Sequence, residues 1–66
     1  MNIRKLKGKL VEMGFNTETL AVKMNIDRST LYRKLNKGEK FTIGDAQKIK
    51  DALNLTNDEA RDIFFG

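Results

Sequence analysis

Arg28, Ser29, Tyr32 and Arg33 are the side chains of this sequence best suited to chemistry, and that chemistry is recognition rather than catalysis. They belong to a segment that opens as a helix at Asp27 and has only Leu31 and Leu35, at i,i+4 spacing, as its apolar stripe. Outside that stripe the helix offers two guanidinium forks, a hydroxyl and a phenol. A helix held down so narrowly, with cations and hydrogen-bonding tips outward, is built to enter another molecule. The DNA major groove admits an α-helix and displays acceptors that match those tips, so it is the best candidate.

The rest of the composition removes other chemistries. There is no cysteine and no histidine, which excludes disulfides, thiolate or imidazole metal sites, and Ser-His or Cys-His nucleophilic pairs. Asp45, Asp51, Asp58, Glu59 and Asp62 match cap and helix N-terminal positions, where negative charge is stabilising, better than they match paired catalytic carboxylates. No enzyme, cofactor or metal is therefore expected. No apolar run reaches membrane-spanning length and the opening MNIRKLKGKL has no long apolar stretch, so a bacterial cytoplasmic location is expected and no membrane. Residues 1–40 hold ten Lys/Arg against four Asp/Glu, and residues 41–66 hold three against five. The basic half is the half that carries the Asp27 segment, an asymmetry that suits a polyanion partner on one side of the molecule. A lysine-rich solvated surface is the plain alternative.

These side chains need a frame, and the chain of 66 residues, which has no proline, predicts one domain (1–66) of five helices with no strand. The first runs from Asn2 through Ile3, Leu6, Leu10 and Met13 and stops at Gly14. Gly8 inside it costs roughly 1 kcal/mol relative to alanine and marks either a close approach or nothing. Asn16 or Thr17 caps the second helix, which buries Leu20, Ala21 and Met24. Asp27 caps the third, which runs to about Leu35 and closes at Asn36-Lys37-Gly38. Phe41 anchors the loop, and Thr42 caps a fourth helix with Ile43, Ala46, Ile49, Ala52 and Leu53 inward. Thr56-Asn57-Asp58-Glu59 is a full capping box opening a fifth helix through Ala60, Ile63 and Phe64. Ile26 and Leu55 join the expected core. Of the Phe64-Phe65 pair, one ring goes to the core and the other is left for a contact with another chain.

Between the second and third predicted helices the spacing suits a helix-turn-helix. Ala21 lies where the two helices pack most closely, Asn25 takes a left-handed turn position, Ile26 plugs the corner and Leu31 locks the second helix against the first. With Leu20-Ala21, Asn25-Ile26-Asp27, Thr30-Leu31 and the Asn36-x-Gly38 exit, the chain resembles the Cro/C1-type (XRE) helix-turn-helix family of phage and bacterial repressors. The resemblance covers essentially the whole chain. Within the family it looks most like small single-domain Cro-like and antirepressor proteins of temperate phages of Gram-positive bacteria, an impression to which Lys5-Leu6-Lys7-Gly8 and Ile63-Phe64-Phe65 contribute. It departs from the family at Thr17, where glutamine is frequent, and at Asn25, where glycine is frequent.

The resemblance implies a compact λ-repressor-like DNA-binding domain with its helix-turn-helix at helices 2 and 3 and its recognition helix at 28–35. Arg28, Ser29 and Arg33 would then reach base edges, and Tyr32 would touch a sugar edge or a thymine methyl, or else cover the stem of Lys34 or Arg28. Asn16, Thr17, Asn36, Lys37 and Lys40 would clamp phosphates, which set register without reading sequence; Thr17 could equally serve as a helix cap alone. Two functions are expected from this. The first is a sequence-specific regulator of a phage lysis–lysogeny switch, binding double-stranded operator DNA as a homodimer. The second is an antirepressor that docks its helix 2–3 face on the DNA-binding domain of a partner phage repressor.

Overall fold

A computed structural model describes residues 1–66 as five α-helices with no strand: α1 (Ile3–Glu12), α2 (Thr17–Met24), α3 (Arg28–Asn36), α4 (Ile43–Leu53) and α5 (Asn57–Phe65). No helix is long and apolar enough to cross a membrane. The extents are 28 × 22 × 19 Å.

Helix starts are written locally. Asn2 Oδ1 accepts from the Lys5 amide and Asn16 Oδ1 from the Thr19 amide, each satisfying a first-turn donor that has no partner inside its helix. Thr42 with Asp45, and Thr56 with Glu59, form reciprocal boxes in which hydroxyl and carboxylate each bind the other's backbone amide. Asp27 departs from the expectation. Its extended backbone puts it at the cap position of α3, but its carboxylate makes no bond to the first-turn amides. It acts on that terminus through charge alone.

Three helices end by one device. Gly14, Asn25 and Asn54 adopt left-handed backbone with φ of 72°, 57° and 51°. The amide of the apolar residue after each then reaches back five residues: Phe15 to Leu10, Ile26 to Ala21 and Leu55 to Lys50, at 2.8–3.0 Å. This pairs terminal carbonyls and folds an apolar side chain against the helix it has just left. The Asn25 turn was expected from sequence; its repeat at Asn54 was not.

The core is one cluster. Leu6, Leu20, Met24, Leu31, Ile49 and Leu53 are fully enclosed, with Leu10, Ala21, Leu35, Leu55, Ala60 and Ile63 beside them. Phe41, Ile26 and Phe64 are partly buried against it, as is Phe15, which the sequence reading left out. Two expectations fail. Met13 is not on the buried stripe of α1 but just beyond its end, where 37% of it is exposed. Ile43 is 91% exposed although expected inward. At about 100° per residue it lies some 120° around α4 from Ile49, so the turn that brings Ile49 and Leu53 inward carries Ile43 to the outside.

Candidate functional site

Leu31 and Leu35 seat α3 on the core, with α2 and α4 packed around that cluster. Arg28, Ser29, Tyr32 and Arg33 are left exposed, and together with Thr17 from the first turn of α2 they line one shallow, solvent-open depression of about 430 Å³. The four residues expected to read bases are thus brought together. Thr17, expected on phosphate, joins them because α2 begins alongside α3.

The environment of each side chain separates the open alternatives. Asn16, not Thr17, caps α2: its Oδ1 accepts from both the amide and the hydroxyl of Thr19. The Thr17 hydroxyl has no hydrogen-bond partner within the chain, so it is free to donate outward. Tyr32 is half exposed within the depression. It does not cover Lys34, which turns to the opposite flank, where its ammonium stands 5.8 Å from the centre of the Phe41 ring.

The expected phosphate contacts divide. Lys37 and Lys40 are exposed and form no ion pair, so both ammonium groups are available to a phosphate. Asn36 is already occupied: its Oδ1 accepts from Lys7 Nζ at 3.0 Å and its Nδ2 donates to the Tyr32 carbonyl at 3.2 Å. It ties α1 to the end of α3. Asn16, engaged as a cap, lies on a separate hollow with Glu18, Thr19, Val22 and Lys23.

Carboxylates beside the two arginines were not anticipated from sequence. Glu18 Oε2 lies 3.6 Å from Arg28 Nη1, with both side chains about two-thirds exposed. Glu39 Oε2 accepts from Arg33 Nε at 3.0 Å, and Arg33 Nη2 donates to Thr30 Oγ1 at 3.3 Å. Behind this pair Lys34, only 10% exposed, meets Asp45 at 3.0 Å and donates to the Lys40 carbonyl at 2.9 Å. Burial alone raises the Asp45 pKa, but the Thr42 amide and the Lys34 ammonium outweigh it and hold the carboxyl below its usual range. The same carboxylate therefore caps α4 and anchors α3. None of these cross-element pairs has a helical i,i+4 signature that would announce it.

The face is thus a shallow surface with two guanidinium groups, each beside a carboxylate, two hydroxyls and a phenol; of the two unpaired lysines that follow α3, Lys40 lines a neighbouring groove with Phe41. The face can donate hydrogen bonds in several directions and meet negative charge. No protein-family model, curated protein or solved structure matches this chain.

Proposed function

We propose that this protein is a sequence-specific DNA-binding regulator that inserts α3 into the major groove, as the helix-turn-helix and λ-repressor-like reading of α2 and α3 implies. The observation that carries the proposal is the exposure of Arg28, Ser29, Tyr32 and Arg33 in one depression while Leu31 and Leu35 hold the helix from behind. Arginine paired with the O6 and N7 of guanine is the commonest specific base contact, and Thr17, Lys37 and Lys40 flank it with donors suited to phosphate. A repressor's place in a phage lysis–lysogeny switch is the role that fits the resemblance.

So few base-reading side chains favour two subunits on an inverted repeat with half-sites about one helical turn apart. The surface suited to pairing with a second copy is the apolar face around Ile43 and Phe65, 91% and 88% exposed, which opens on a groove also lined by Phe41 and Phe64. Two exposed apolar side chains and the groove beside them fall short of the roughly 800 Å² that each partner of a stable dimer contributes. Pairing is accordingly weak in solution and completed on DNA.

The test is a salt-titrated binding assay on duplexes enriched from a random pool. Arg28→Ala and Arg33→Ala each remove discrimination at a base position, while Lys37→Ala and Lys40→Ala weaken binding across all sequences and lower the salt slope by about 1 each. One observation favours the antirepressor reading instead. Glu18 and Glu39 make the face charge-mixed, a pattern that complements another protein's charged surface as readily as a polyanion. No DNA binding near micromolar protein at moderate salt, together with a stoichiometric complex with a repressor's DNA-binding domain, would establish that reading.

A further inference from the structure

We infer that Glu39 is a positioning residue that sets the specificity of the base contact made by Arg33, an inference that rests on the DNA-binding reading above. Arg33 is gripped on one edge only. Its Nε donates to Glu39 Oε2 at 3.0 Å and its Nη2 to Thr30 Oγ1 at 3.3 Å. Nη1 makes no bond within the chain and Nη2 keeps one of its two protons, so both Nη atoms retain a donor for bidentate contact with guanine O6 and N7.

Glu39 is itself held. Gly38, with φ of 74°, turns the chain so that Glu39 returns over α3. Its second oxygen, Oε1, lies 3.9 Å from Lys34 Nζ, and Lys34 is fixed by Asp45 and the Lys40 carbonyl. A chain of contacts therefore runs from the capping box of α4 through Lys34 and Glu39 to Nε of Arg33. An isolated surface ion pair contributes little to stability. Its effect here is to restrict the rotamers of a long side chain before DNA arrives, which removes part of the ordering cost of binding. Arg28 has no such support: its partner Glu18 lies at 3.6 Å on one Nη atom, with both groups solvated. The two arginines should read differently, Arg33 stringently and Arg28 adaptably.

Base-preference profiles from a random duplex pool, taken for the wild type and for Arg33→Ala, Glu39→Ala and Glu39→Gln, test this. Arg33→Ala identifies the base position that Arg33 reads, where a bidentate contact discriminates by about tenfold or more. Glu39→Ala should erode that preference by roughly three- to tenfold at the same position alone, and it should strengthen binding to unrelated duplex because a negative charge is gone. Glu39→Gln also strengthens nonspecific binding, but its amide oxygen still accepts from Nε, so the preference survives. In the DNA-free protein, the Arg33 Hε resonance should be protected from water exchange in the wild type and in Glu39→Gln, and unprotected in Glu39→Ala. A selective wild type whose profile is unchanged by Glu39→Ala, or a Glu39→Gln profile as eroded as that of Glu39→Ala, overturns this inference alone. A wild type that enriches no sequence overturns the DNA-binding reading and takes this inference with it.

Discussion

Gly8→Ala should stabilise the protein by about 1 kcal/mol, the difference in helix propensity between the two residues. Gly8 lies inside α1, its surroundings are open, and a Cβ built there meets nothing within 4 Å beyond its own stretch of helix. No clash subtracts from the gain and no new packing adds to it, so the effect comes from the smaller conformational freedom of alanine in the unfolded chain. For 66 residues the entropy of unfolding is about 0.14 kcal/mol/K, at roughly 2.1 cal/mol/K per residue, which converts the gain into a rise in Tm of about 7 °C. In urea, with m near 1 kcal/mol/M for a domain of this size, the midpoint should move up by about 1 M with m unchanged. Circular dichroism at 222 nm during both titrations is the assay. Gly8 lines a hollow with Lys9 and Glu59, apart from the depression that holds Arg28 and Arg33, so affinity for DNA should not change. A Tm that stays put or falls would refute the reasoning, because it would mean that Gly8 is held against something or lies in no helix. A stabilised protein that lost DNA binding would instead place α1 in the interface.

Acid should destabilise the fold through Glu59. The hydrogen bond from Lys9 at 2.6 Å, followed by the Thr56 amide, pushes its pKa from 4.5 down to about 2. Between those values the unfolded chain binds the proton more readily than the folded one, so this contribution is complete above about pH 4.5 and disappears as the pH falls toward 2. Urea midpoints measured from pH 6 to pH 2.5 should fall less steeply for Glu59→Gln than for the wild type; parallel curves would contradict the assignment. Ile43→Asp and Phe65→Asp should leave the fold intact, since both side chains are already in solvent, yet reduce binding to a two-half-site operator at least tenfold while sparing a single half-site. Equal loss on both duplexes would remove the apolar face from the pairing surface.

The features legible in the sequence were those whose physics is local. Thr56 and Glu59 bind each other's amides across three residues, so the start of α5 is written within four letters. Asn25 is legible for the same reason, because few other residues tolerate φ of 57° and an apolar residue follows to close the turn. Ile43 shows where local reading fails. Its place just after a cap and before Ala46 looks like the start of an inward stripe, but the phase of a helix is set by its most enclosed residues, here Ile49 and Leu53. The charges show a deeper limit. Lys9 finds Glu59 fifty residues away and Lys7 finds Asn36 twenty-nine away, and no spacing rule connects such partners.

That limit bears directly on function. Counted along the chain, residues 27–40 hold Arg28, Arg33, Lys34, Lys37 and Lys40 against Asp27 and Glu39, which suggests a basic ridge. In the fold, Glu18 arrives from α2 beside Arg28, Glu39 closes on Arg33, and Lys34 is spent on Asp45, leaving Lys37 and Lys40 without an ion-pair partner. Within this segment only Lys37 and Lys40 keep a charge with no carboxylate beside it, while each arginine already stands next to one. On the DNA-binding reading proposed above, such a division would separate salt-sensitive capture of any duplex from reading, which would begin only when a base edge replaces solvent at a guanidinium that a carboxylate already holds.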